Sequence, residues 1–212
     1  RGDRGKVQSY QGASSTNQGE GTQETEAPQT SYPTGAIVGV RIGNLLGGEG
    51  GVMSDLVLRY LREDRILLRM TARKKAEGLR ELAALVEDSV EIPNFRQFLS
   101  AVFQKESRFG SGVGEGVALP HYRDEKVEEP VICMGVSKNG IDWGETEWGE
   151  KEQVHILVLV AWPYNREDNY LKTVAEIASL LRMAPVREKI RHAGSPSEVL
   201  AALQTDGASK AR

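Results

Sequence analysis

An α/β fold is what this sequence predicts: a single small domain with a mixed β-sheet flanked by helices, preceded by a disordered N-terminal arm. Three observations carry it. Residues 8–34 hold almost no aliphatic side chains, whereas the segments from Met53 onward are periodic. Helical and strand periods then interleave, which argues for a sheet with helices packed on it. One run, Val154 to Trp162, is nearly continuous in apolar residues, as a strand covered on both faces requires.

Length and charge narrow the classes further. The 212 residues suit one domain with an appendage or two small domains, and the net charge of -3 favours neither nucleic acid nor an acidic membrane surface. Cys133 is the single cysteine, so an internal disulfide framework and a cysteine-based zinc cluster are excluded and a reducing, cytoplasmic setting is expected. The run at 154–162 falls far short of the roughly 20 residues a membrane span needs, and no basic segment followed by an apolar one opens the chain. No direct membrane insertion and no secretory signal are expected.

Residues 1–52 read as a disordered or low-complexity arm or linker, and 53–206 as the folded domain. The stretch QSYQGASSTNQGEGTQETEAPQTSYPT cannot bury enough surface to offset the entropy of ordering. The opening Arg-Gly-Asp is best explained by chance in such an arm. Residues 35–52 are more apolar but broken by glycines and show no period. Because periodicity starts at Met53, the natural start is expected there. The Glu49-Gly50 pair would often be encoded by a purine-rich GAGG, which resembles a ribosome-binding site read through in frame; an ordinary linker is the alternative.

From Met53 the elements follow in order. Ser54 caps a short helix with Leu56, Val57, Tyr60 and Leu61 on one face. Residues 65–70, RILLRM, read as a strand. Thr71 can cap a second helix lined by Leu79, Leu82, Leu85 and Val86. Pro93 and Asn94 open a third, with Phe95, Phe98, Leu99, Val102 and Phe103 at helical spacing, ending near Ser107. A glycine-rich segment follows. Then VICMGV (131–136) reads as a strand, SKNG (137–140) as a turn, and IDWG as an extended continuation. The apolar strand at 154–162 is stopped by Pro163. A helix with Leu171, Val174, Ile177, Ala178 and Leu181 on one side comes next, then a short one from Pro185 to Gly194. Ser195-Pro196-Ser197-Glu198 fits a capping box before the terminal helix.

The segment GSGVGEGVALPH (110–121) poses the functional question. Four glycines in seven residues, Gly110, Gly112, Gly114 and Gly116, cost entropy on ordering, and the segment runs through Pro120 into His121. Three readings fit. A mobile loop with an exposed histidine is the first. A nucleotide-binding loop is the second, although the segment follows a helix instead of a strand, proline blocks a following helix, and Gly-Lys-Ser/Thr is absent. The third makes His121 a nucleophile: an imidazole that titrates near pH 6.5 is free to attack at neutral pH. Phosphoryl transfer asks mainly for positioning and charge stabilisation, which glycine amides, the Ser111 hydroxyl and the Lys105 ammonium would supply. Pro120 limits where the ring can point.

Residues 105–121, KESRFGSGVGEGVALPH, resemble the active-site signature of the type-2 enzyme IIA family of the bacterial phosphotransferase system, the fructose, mannitol and nitrogen-regulatory class. That signature runs Arg-Glu, a few residues, then Thr-Gly-Ile-Gly-x-Gly-Ile-Ala-Ile-Pro-His. Glu106, Ser111, Gly112, Val113, Gly114, Gly116, Val117, Ala118, Leu119, Pro120 and His121 fit it position by position. The resemblance extends from Met53 to Leu203. It implies a mixed sheet flanked by helices, and a phosphocarrier that accepts a phosphoryl group on His121 from the histidine-containing phosphocarrier protein. The group then passes to a sugar-permease IIB domain, or its presence is reported to a regulated transporter or kinase. No cofactor or metal is implied. The resemblance makes Lys105, Glu106, Ser111, Gly112, Gly114 and Gly116 supporting residues.

Two positions depart from the family pattern. Lys105 stands where the signature has arginine, keeping the charge but losing the fork suited to phosphate. Tyr170 stands where many members have a second histidine; its phenol can hydrogen-bond a phosphate, which places it with the supporting residues, but it cannot carry an imidazolium's charge. Both changes weaken the case for efficient transfer to sugar and leave a regulatory phospho-acceptor; the alternative function is a non-catalytic regulatory module that binds a partner without phosphoryl turnover.

The other candidates are weaker. His155 begins the apolar strand; a satisfied structural histidine is the simpler reading, with a place near His121 the alternative. His192 lies near a helix C-terminus, where positive charge is favoured. Three scattered histidines give no metal-ligand spacing. Trp143 and Trp148 read as covers of a sheet edge, with carbohydrate stacking the alternative. The acidic residues at 142–153 and the basic ones at 73–80 read as solvated faces.

Overall fold

The computed structural model describes residues 55–108, 110–145, 151–166 and 169–205. The expectations for residues 1–52, and for Ser54 and Trp148, lie outside them. Among the described residues six strands form one mixed sheet, with helices on both faces.

Chain order is α1 (Asp55–Tyr60), β1 (Ile66–Leu67), α2 (Lys75–Ala83), α3 (Phe95–Arg108), β2 (Gly112–Gly114), β3 (Val117–Ala118), β4 (His121–Asp124), β5 (Val131–Glu145), β6 (Lys151–Pro163), α4 (Tyr170–Arg182), α5 (Ala184–His192) and α6 (Pro196–Thr205). In the sheet, β1 runs parallel to β5, β5 antiparallel to β6, β3 and β4 parallel to β6, and β2 antiparallel to β3. β6 is the central strand. Residues 156–163 are buried without a break, as its apolar run requires.

β3 and β4 continue one register along β6: Val117 lies opposite Ile156 and His121 opposite Val160. The ladder is interrupted where Pro120 accepts the Val160 amide at 2.9 Å but has no N–H to return. Side chains therefore alternate through the interruption. Val117 and Leu119 point into the core beneath α1, α4, α5 and α6. Ala118 and Tyr122 point into the core beneath α2 and α3. His121 and Arg123 share the α4 face.

Several local expectations are corrected. The strand expected over 65–70 shrinks to Ile66–Leu67, because Arg65 is drawn into a 3₁₀ turn with its guanidinium bonded to Glu91 and buried. The second helix begins at Lys75, not after Thr71. Its own carboxylates cap it backwards: Glu77 accepts the Arg73 and Lys74 amides at 3.0 and 3.2 Å, and Glu81 takes the Thr71 and Ala72 amides. The turn expected at 137–140 is a register shift inside the continuous strand β5, with Gly140 at φ 78°. The chain cannot reverse there, since both flanking segments pair with β6. On α4 the buried stripe centres on Val174, Ile177 and Leu181, leaving Leu171 at its margin, 70% exposed.

Other boundaries agree with the sequence reading. Asn94 caps α3 by accepting the Gln97 amide at 3.3 Å. α6 opens at Pro196, where Ser195 accepts the Glu198 amide at 3.3 Å and Glu198 takes the Gly194 amide at 2.8 Å.

Candidate functional site around His121

The glycine segment folds as a hairpin, not as a loop. Gly114 lies opposite Val117, so Glu115 and Gly116 form a two-residue turn with φ of 57° and 74°. Both values lie in the left-handed region that a hairpin of this tight type demands. Gly112 answers a different need: a Cβ there would fall 2.0 Å from Glu152 Oε2, so the glycine lets the Glu152 carboxylate lie against the strand, where a larger residue would push it aside. Glu152 also accepts the Gly114 amide at 3.3 Å, and Arg187 on α5 pairs with Glu115 at 2.9 Å.

The hairpin delivers Ser111 and Leu119 to the same level, where Ser111 O accepts the Leu119 amide at 2.9 Å. The Leu119 carbonyl then faces the His121 ring, and Nδ1 lies 2.8 Å from it. A carbonyl can only accept, so Nδ1 carries the proton and Nε2 keeps its lone pair. Among the described residues Nε2 has no hydrogen-bond partner. Burial lowers the imidazole pKa below its ordinary value of 6.5; the Leu119 hydrogen bond opposes this and the Lys105 ammonium adds to it. The ring is thus held neutral, in one tautomer, at physiological pH.

Behind this arrangement stands Glu106, buried on α3. It accepts the Ser111 amide at 3.2 Å and pairs with Lys75 at 3.3 Å. Burial raises its carboxyl pKa, opposed by hydrogen bonding to Ser111 and by the Lys75 charge. A chain of contacts therefore runs from α2 to the imidazole: Lys75, Glu106, Ser111, Leu119, His121.

Lys105 and Tyr170 flank the histidine from different elements. Lys105 comes from α3 on the opposite face and reaches past the sheet edge, with Nζ 3.4 Å from the Arg123 carbonyl and 5.4 Å from the Tyr122 ring centre. Burial of the ammonium lowers its pKa, Asp124 opposing and Arg123 adding. The Tyr170 ring opens α4, 6.3 Å from the His121 ring and 6.0 Å from Trp162, which in turn meets Tyr60 edge-on at 5.4 Å. Burial raises the Tyr170 phenol pKa, so it stays protonated.

The fold thus gathers His121, Ser111, Lys105 and Tyr170, with Glu106 one contact behind. It does not bring Gly114, Gly116 or His155 to them. Gly116 accepts the His155 and Ile156 amides, and His155 lies five residues along β6 from Val160, about 16 Å of strand from the His121 level. His155 Nδ1 is instead 3.0 Å from the Ser137 carbonyl. His192 is exposed on α5, its Nδ1 2.8 Å from Glu188 O. Trp143 is 3% exposed beneath Lys75, leaving no face for a sugar ring. Among the described residues no group of three or more His, Cys, Asp or Glu is placed to hold a metal ion.

Arg123 is the residue the sequence reading missed. Its guanidinium lies 5.9 Å from the Tyr170 ring centre and 4.9 Å from that of Tyr164, and it donates to the Tyr164 carbonyl. Reading HYRD as a strand would have exposed it, since residues 121 and 123 then share a face.

Comparison with known proteins shows the family to which this fold belongs. The family described as "Phosphoenolpyruvate-dependent sugar phosphotransferase system, EIIA 2" matches residues 59–206. The chain is 22% identical over 144 residues to the fructose-specific EIIABC component of Bacillus subtilis, covering 68% of this chain but 22% of that relative. Among solved structures it is similar to nitrogen regulatory protein IIA-Ntr from Neisseria meningitidis, with TM-score 0.64 and 22% identity over 70% of this chain and 99% of that one. It is also similar to a structure from Escherichia coli of the complex of enzyme IIA-mannitol with phosphorylated enzyme IIB-mannitol, with TM-score 0.57 and 19% identity over 68% and 97% of the two chains. With the fold, the signature and a family match over most of its length, this chain belongs to the EIIA 2 family of the phosphoenolpyruvate-dependent sugar phosphotransferase system.

Proposed function

We propose that His121 Nε2 accepts a phosphoryl group from the histidine-containing phosphocarrier protein and passes it to a IIB domain or reports its presence to a regulated partner. The observation that carries this reading is the Nδ1–H bond to the Leu119 carbonyl, which leaves Nε2 as a fixed lone pair. In the transfer, the P–N bond of the donor phosphohistidine breaks as P–Nε2 forms, and the bond pair leaves with the donor imidazole. His121 loses no proton in this step. The Leu119 carbonyl stabilises the positive charge that the ring acquires.

Ser111, whose carbonyl accepts the Leu119 amide two residues before His121, supplies a hydroxyl, and the Gly112 amide extends the same edge. Lys105 adds charge from beyond the strand, and Glu106 holds Ser111 in place. The likeness to a IIA in complex with a phosphorylated IIB supports a IIB domain as recipient. A cytoplasmic site of action fits the reading; no helix among the described residues is long and apolar enough to cross a membrane.

Incubation with the phosphorylated carrier tests it. The expected product is an acid-labile, base-stable phosphate on the wild type that is absent from His121→Ala. No label on the wild type would favour a module that binds its partner without turning phosphate over.

A further inference from the structure

We propose that Arg123 is the cation that grips the phosphoryl group on His121, with Tyr164 and Tyr170 as the aromatic walls that hold its guanidinium in place. The proposal rests on the reading of His121 as the phosphoryl acceptor and assigns the charge partner of that same site.

Three observations carry it. Strand parity puts Arg123 on the His121 side of the sheet, two residues on, where alternate Cβ atoms stand roughly 7 Å apart. A guanidinium on a long side chain spans that gap to an oxygen on Nε2. Second, the Arg123 guanidinium and the His121 ring border one and the same Tyr170 ring, at 5.9 and 6.3 Å. The Tyr164 ring at 4.9 Å and the Tyr164 carbonyl fix the other side, so the fork is ordered before phosphate arrives.

Third, the other groups at the site lack its geometry, although the Lys105 ammonium is the charge that acts on the free His121 ring. Lys105 rises from the opposite face and its ammonium is already turned to the Arg123 carbonyl and the Tyr122 ring. Tyr170 stays a neutral phenol, able to donate one hydrogen bond but no charge. A planar fork offers two parallel N–H donors to two phosphoryl oxygens, which a point charge cannot.

The test compares phosphoryl transfer from the phosphorylated carrier to wild type, Arg123→Lys, Arg123→Gln and Lys105→Gln, with unfolding midpoints recorded for each. Arg123→Gln is expected to slow the single-turnover rate by about 30- to 100-fold, the scale for losing a charge-stabilising donor, while half-saturation by the carrier moves less than twofold. Arg123→Lys, which keeps the charge but not the fork, recovers only part of the rate, and Lys105→Gln falls less than tenfold. An Arg123→Gln rate within twofold of a wild type that labels normally overturns the proposal and leaves the His121 reading standing. An unlabelled wild type overturns that reading. A second arm then decides on Arg123 without the carrier: inorganic phosphate shifts the His121 ring nitrogen resonances in wild type and not in Arg123→Gln. Equal shifts in both proteins, or none in wild type, overturn the grip.

Discussion

Replacing Glu106 by alanine removes the acceptor that holds the Ser111 amide at 3.2 Å and the ion-pair partner of Lys75 at 3.3 Å. The two losses differ in size. The Ser111 amide stays buried with no replacement, at a cost of about 1–3 kcal/mol. Lys75, with its side chain 32% exposed, regains water, so the pair adds about 1 kcal/mol at most. A total of about 1–4 kcal/mol corresponds to a fall of roughly 2–16 °C in Tm for a domain of this size. Glu106→Gln keeps an oxygen facing the Ser111 amide and loses the charge alone, so its cost stays below about 1 kcal/mol. Because burial raises the Glu106 pKa, the sign of the pH effect follows. Its folded-state stabilisation is complete below the ordinary value of 4.5 and declines as pH rises through the folded value. Wild type therefore loses ground to Glu106→Gln as pH climbs from 4 toward 7. Thermal unfolding of the three proteins across that range is the assay. Equal destabilisation by Ala and Gln, or a wild type that gains on Gln with rising pH, would refute the reasoning.

Further outcomes follow from the same contacts. The lowered His121 pKa keeps the imidazole neutral below pH 6.5, so the acid limb of the acceptance rate is expected to have its midpoint under 6.5; a midpoint above it contradicts the electrostatics. Gly135→Ala places a Cβ 2.3 Å from Met70 Sδ beneath α2 and is expected to cost about 1–3 kcal/mol, relieved when Met70 is also replaced by Ala. A neutral Gly135→Ala would show slack in that core. Gly116→Ala strains the φ of 74° in the hairpin turn and is expected to lower Tm by a few degrees while slowing acceptance far less than Glu106→Ala, because the turn lies away from His121.

What the sequence made legible follows from how locally each feature is encoded. β6 announced itself because burial on both faces leaves no polar alternation, and α3 because Pro93 and Asn94 act on their immediate neighbours. The start of α2 was misplaced because its caps come from Glu77 and Glu81, up to ten residues ahead of the amides they take. The Gly140 position read as a turn because glycine punctuates both turns and bulges; only the pairing of both β5 segments with β6 separates the two. His121 and its signature were visible as residues, but their assembly was not. The Leu119 carbonyl that sets the tautomer carries no sequence mark, and Arg123 enters only once HYRD is known to be a strand. Four glycines that looked like one device serve at least two: Glu115-Gly116 makes the turn, and Gly112 makes room for Glu152.

The position of the phosphorus on the imidazole tests the account most directly. Nitrogen-15 and phosphorus-31 NMR of the phosphorylated protein, with ring-labelled histidine, reads which nitrogen bears the bond. A phosphorus coupled to Nε2 of His121, with the proton still on Nδ1, is the predicted result. Phosphorus on Nδ1, or on a residue other than His121, would contradict it.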